Sequence, residues 1–253
     1  MSHYGVRFCQ ICQGLQRSYS CLNQKAEDKH LWIRSLPKAF FAILVWIQCG
    51  TALASEQSPQ QRAPSRPPML TMPIFNQIIL LTQPGGFKVV HQQTSPQNYI
   101  FEMVPASESK ERWSQMVGIM GIRGLAANAE FTPQKFAERI ATGFRQTCPQ
   151  TFAAKGLGNL KIGEHDAYVA LIGCGRHRAS GYETSEVVML LAIRGSENFY
   201  SVQWAERKQP TDQQPVLDER VWRTRLNLLQ PIRLCQRIPN EPPPFASCLN
   251  QRN

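Results

Sequence analysis

No stretch of this sequence holds the ~20 consecutive apolar residues that a helix needs to cross ~30 Å of hydrocarbon. Its longest apolar run, residues 39–47 (AFFAILVWI), is diluted at once by Gln48, Gly50 and Thr51. That shortfall argues against a permanent spanning helix. Also missing are a G-x-S-x-G elbow, a glycine-rich phosphate loop and an H-E-x-x-H pair, so the enzyme classes built on those motifs have no support here. Nothing resembles a basic stripe interleaved with aromatics, the footprint of a nucleic-acid binder. Beyond residue 54 the chain carries 22 Lys and Arg against 16 Asp and Glu, a scattered excess of +6. Its tight basic cluster is GRHR at 175–178. No nucleic-acid partner and no cofactor are expected, and neither catalytic nor metal-binding residues can be named. The basic surface gives at most a bias toward anionic envelope components.

What is present begins with an address. Arg34 and Lys38 precede the apolar run, and Ala52-Leu53-Ala54 closes it. A positive start, a short apolar stretch and a small-x-small site are the parts of an export signal. Cleavage is expected after Ala54, with membrane contact only during export; a retained inner-membrane signal anchor is the alternative. A start at Leu31 would give a leader of ordinary length, so residues 1–30 are read as a start-site artefact. They contain Cys9, Cys12 and Cys21 with His3 and His30 nearby, but no second C-x-x-C completes a zinc knuckle. Residues 55–73, polar and proline-rich, read as a disordered linker.

Four cysteines remain after cleavage: Cys148, Cys174, Cys235 and Cys248. An even count in an exported chain points to disulfides. Three pairings are possible. Cys148–Cys174 with Cys235–Cys248 is preferred because each closes a short loop. A reactive thiol pair would want the C-x-x-C spacing, which these four lack.

Residues 74–236 read as one domain, with a Pro-rich tail over 237–253. Apolar segments broken by Pro and Gly turns predict strands over 74–82, 87–93, 99–105 and 113–122. In the last of these, Trp113 is expected to share a face with Val117 and Ile119. Residues 131–146 predict a helix: Thr132 is a good N-cap, Pro133 suits the first turn, and Phe136, Ile140 and Phe144 make an apolar stripe. Strands are then expected over 166–174, 185–193 and 198–206, the first two joined by a polar loop, GRHRASGYET. A second helix is expected within 218–235, capped by Asp218 and stopped by Pro231. The sum is an α+β domain: a mostly antiparallel sheet of about six to seven strands with two packed helices.

This element order, with ESKERWSQMVGIMG, TPQKFAERIATGF, SEVVMLLAIRGSENFYSVQWAE and VWRTRLNLL as its carriers, resembles the PsbP-like α/β domains of exported bacterial and thylakoid-lumen proteins. The resemblance covers residues 74–230. The cysteines at 148 and 174 are outside the general pattern and would mark a disulfide-bearing subgroup. Members of the fold are mostly accessory or interaction modules, many without known function, and share no catalytic residues that could be carried to this chain.

Individual polar residues add little chemistry. His165 and Asp166 begin a strand and point to opposite faces, so they form no relay. His91 has no visible partner. Glu102 and Glu186 could do paired acid–base work only if the sheet brought them together. Trp113, Trp204 and Trp222 are expected in the core. Arg176, His177 and Arg178 form a candidate partner or anion loop. The expected protein is therefore a monomeric, non-catalytic accessory or binding protein of the periplasm or exterior, whose partner is an unknown envelope or extracellular protein. Two rivals are a secreted hydrolase-type enzyme and a secreted factor that meets a host or competitor protein through residues 175–182.

Overall fold

The computed structural model describes residues 67–179 and 182–251. The expected leader over 1–54, its Cys9, Cys12 and Cys21, and residues 55–66 of the expected linker lie outside the described residues.

Ten strands carry the described part. In chain order they are β1 (Met69–Ile74), β2 (Gln77–Thr82), β3 (Phe87–Thr94), β4 (Asn98–Pro105) and β5 (Gln115–Ile122), then helix α1 (Pro133–Thr147). There follow β6 (Phe152–Ile162), β7 (His165–Ala179), β8 (Tyr182–Arg194), β9 (Phe199–Lys208), α2 (Glu219–Leu228), β10 (Arg233–Gln236) and a short α3 (Ala246–Leu249). Seven strands form one sheet in the order β3-β4-β5-β9-β8-β7-β6; β1, β2 and β10 form a second. Every pairing in both is antiparallel. The α+β class expected from the sequence is the class observed.

Alternation of side chains along the strands sorts the large sheet into two apolar faces. One face, with Val117, Ile119, Val202, Trp204 and Leu191, meets Met72, Ile74, Ile79 and Leu81 of the small sheet and Trp222 of α2. The other face, with Met120, Ile172, Val188 and Leu190, is covered by Phe136, Ile140 and Phe144 of α1. The Phe136 ring stacks on Phe199 with centroids 5.5 Å apart. β2 is buried along its whole length because Ile78 and Leu80 pack on its outer side against Phe245 and Cys248 of the tail.

Both disulfides of the preferred pairing are formed. Cys148, the C-cap of α1, joins Cys174 on β7 with Cα atoms 5.9 Å apart. Cys235 on β10 joins Cys248 in α3 with Cα atoms 5.6 Å apart. The tail has further ties: Arg233 Nη1 donates to the carbonyls of Cys248 and Leu249 at 3.1 and 2.8 Å. α1 starts as expected, with Thr132 accepting from the Lys135 amide and Pro133 in the first turn.

The structure corrects several sequence expectations. The strand expected over 74–82 is a hairpin, turned at Phe75 with φ 58°. Its first arm, β1, takes in residues 69–73, which had been read as linker. β6 was missed because its edge position leaves a largely exposed sequence, interrupted by a bulge at Gly156–Gly158. α2 ends at Leu228, and β10 follows it within the span read as helix. Of the polar loop expected over 175–184, residues 175–179 and 182–184 are strand, because β7 and β8 continue pairing to Ala179↔Tyr182.

Two features lock the layers. Gln77 Oε1 accepts from Ser196 N at 3.0 Å, and Asn198 Nδ2 donates to Asn76 Oδ1 at 2.6 Å. This seam joins the β1–β2 turn to the β8–β9 turn and holds the buried Tyr200, whose phenol burial pushes up to about 12. Opposite α1, residues 211–215 cross β7 at Gly173 and Gly175. The Thr211 amide donates to Gly175 O at 2.8 Å. A Cβ on Gly175 would sit 1.9 Å from Gln213 O, so only glycine admits this strap.

Candidate functional site

The β8–β9 ladder sets Glu186 directly opposite Arg207, on the face that α1 covers further along the sheet. Cross-strand neighbours on one face stand ~4.5–5.5 Å apart at Cβ, close enough for an ion pair. Arg207 Nε donates to Glu186 Oε2 at 2.8 Å, and the two side chains are only 3% and 11% exposed. The loop joining β4 to β5 closes over this pair. Its Trp113 ring lies 3.5 Å from the Arg207 guanidinium carbon, within cation–π range. Arg207 Nη1 donates to Tyr182 Oη at 3.1 Å, and that hydroxyl donates to Glu111 O. Within the loop, Glu108 accepts from Ser114 N and Ser114 Oγ at 2.7 and 2.6 Å. The Arg207 amide donates to Ser114 O at 2.8 Å, so loop and sheet are joined at both backbone and side-chain level.

Around this centre lies an open groove of about 770 Å³, lined by Lys88, residues 107–109 and 112–114, Thr184 and residues 207–209. Lys88, Arg112 and Lys208 are exposed at its rim and have no ion pair among the described residues. Two buried atoms at its lining, Arg207 Nη2 and Thr184 Oγ1, have no hydrogen-bond partner among the described residues. A buried polar atom left without a partner costs ~1–3 kcal/mol.

The residues singled out in the sequence are distributed differently. Arg176, His177 and Arg178 lie on β7, not on a loop. Arg176 donates to Asp212 Oδ1 at 2.8 Å and to Glu183 Oε2; these two carboxylates hold its pKa above the ordinary value. Arg178 stands 3.8 Å from Glu183, and the His177 ring stacks on Phe144. Glu102 and Glu186 face the same side but sit on β4 and β8, three strand spacings apart, or roughly 14 Å; they are not a catalytic pair. His91 stands opposite Glu102 in the β3–β4 ladder, and its pKa is lowered by burial and then by Lys110. His165 contacts Gln77 at 3.2 Å, while Asp166 pairs with Lys161 at 2.7 Å, so no relay links them. Burial lowers the His165 pKa, and Lys161 lowers that of Asp166. Trp204 and Trp222 are in the core. Trp113 belongs to the opposite face from the one expected, because β5 begins only at Gln115, and it lines the groove.

Sequence reading missed Lys88, Arg112, Thr184, Arg207 and Lys208. They come from four separate segments, and no local spacing connects them.

Among the described residues there is no helix long and apolar enough to cross a membrane and no group of three potential metal ligands. No protein-family model matches this sequence, and no curated protein matches it. Solved structures similar to it include the Ran-binding protein Mog1p of Saccharomyces cerevisiae, at 8% identity and TM-score 0.40, covering 64% of this chain and 93% of that one. LpqN of Mycobacterium tuberculosis, involved in cell envelope biogenesis, is similar at 11% identity and TM-score 0.32, covering 66% and 91%. A protein from Bacteroides thetaiotaomicron is similar at 11% identity and TM-score 0.33, covering 64% and 46%. At these scores the likeness assigns no role to any residue of this chain.

Proposed function

We propose that this chain is an exported, non-catalytic accessory protein of the cell envelope, with a PsbP-like domain that binds its partner or ligand through the β8–β9 groove. The observation that carries the reading is the pair of partnerless buried donors, Arg207 Nη2 and Thr184 Oγ1, at the lining of an open groove. Export is supported by the signal-like residues 34–54 and by two disulfides, which persist in oxidising compartments.

Two measurements test this. The intact mass of the protein from the envelope fraction, unreduced, should begin at Ser55 and take up no alkylating agent until reduction. A mass that retains the segment upstream of Ala54 makes that segment an anchor and removes the export of a free protein. A photo-cross-linking side chain at Gln209, on the groove rim, should give a discrete adduct in cells that the same group at Lys135 on α1 does not. Equal yields from both positions would sink the assignment of the groove as the binding face.

A further inference from the structure

Resting on that reading, we infer that the groove binds a phosphate group. The argument starts from which donors the fold leaves over. Arg207 already directs Nε to Glu186 and Nη1 to Tyr182. With Nε taken, the side-on edge with which arginine grips a planar carboxylate is closed; the Nη2 amino group, with its two N–H donors, remains. Thr184 Oγ1 is the second leftover donor. The carboxylate among the lining residues, Glu108, is occupied by the Ser114 amide and hydroxyl. The Ser109 hydroxyl donates to Glu111. Lys88, Arg112 and Lys208 supply three cationic groups at the rim without an ion pair among the described residues.

Donors from two separate side chains, in a groove lined by three further cations, match a tetrahedral oxyanion, whose several oxygens each accept from a different direction. A lysine acts on such a group as a point charge, without the planar geometry a carboxylate rewards. Arg207 Nη2 and Thr184 Oγ1 lie beneath the groove surface. Contact with a phosphate oxygen therefore requires the lining over these two atoms, which includes the Trp113 ring on the Arg207 guanidinium, to shift. The phosphate could belong to a soluble molecule or to a lipid headgroup; both present the same chemistry.

The test uses the purified protein with both disulfides intact. Amide resonances are followed by NMR while inorganic phosphate is added, in parallel with chloride at matched ionic strength. Phosphate should shift residues 107–114, Thr184, Arg207 and Lys208, with chloride giving no comparable change. Replacing Lys88 and Lys208 together by Ala, both exposed and outside the core, should weaken the phosphate affinity by about tenfold or more, equivalent to ~1.4 kcal/mol. Thr184→Val should weaken it too while the protein stays folded. Sedimentation with phosphatidylglycerol vesicles, against phosphatidylcholine vesicles, then assigns the source. Retention on the former that inorganic phosphate reverses supports a headgroup, whereas phosphate binding without vesicle retention supports a soluble ligand. Absence of saturable shifts with phosphate overturns the inference, as do equal shifts with chloride or an affinity untouched in the Lys88/Lys208 double variant. A groove that cross-links a partner from Gln209 yet ignores phosphate overturns the occupant and leaves the binding function standing.

Discussion

At the scale of single residues, Thr184 is the most informative position. Its hydroxyl is buried without a partner among the described residues, and such a group costs ~1–3 kcal/mol relative to an apolar one of the same shape. Thr184→Val is therefore expected to raise the unfolding free energy by about 1 kcal/mol while it weakens phosphate binding. Urea unfolding of the two proteins side by side checks this; a loss of stability of that size would mean the hydroxyl is satisfied in solution. The opposite expectation holds for Arg207. Its removal would take from the buried Glu186 its ion pair at 2.8 Å, and breaking a buried pair costs ~3–5 kcal/mol. Chemistry at this scale was poorly legible. The run GRHR drew attention by its local charge, yet Arg176 and Arg178 are answered by Glu183 and Asp212. The groove cations are scattered from Lys88 to Lys208 and looked ordinary.

At the scale of elements, the strap over β7 is the sharpest constraint. Gly175→Ala would place a methyl 1.9 Å from Gln213 O and 2.8 Å from Thr211 O. Both are backbone atoms, so neither side chain can rotate away. A destabilisation of about 2–3 kcal/mol is expected, within the range of overpacked sites. It should appear as a lower urea midpoint at unchanged slope; a wild-type midpoint would show that the strap does not close on β7. α1 was readable in full because cap, first-turn proline and apolar stripe are all local signals. β6 was unreadable because an edge strand does not need an apolar alternation. The β1–β2 turn was hidden too, since it runs through Phe75 at positive φ where glycine or asparagine is the usual marker.

Over the whole molecule, the two disulfides divide the work of holding the layers. Cys148–Cys174, with a sequence separation of 26, ties α1 to the large sheet. Cys235–Cys248, with a separation of 13, ties the tail over the small one. In the chain-entropy picture these contribute about 3.5 and about 3 kcal/mol, large against a total stability of ~5–15 kcal/mol. Cys148→Ser with Cys174→Ser should lower the melting temperature by several degrees, and reduction of the wild type should lower it further. A melting temperature insensitive to reductant would make both bridges incidental to the fold.

The sequence by itself determined the α+β class and the start of α1, and favoured one of three disulfide pairings. Each of these rests on short-range spacing, where periodicity, capping and loop closure act. Tertiary structure alone decided the division into two sheets, the extension of the β7–β8 hairpin through the basic cluster, and the groove. Those depend on which distant strand lies alongside which. Register sets Glu186 against Arg207 and brings Trp113 and Lys88 beside them, and no local pattern encodes that meeting.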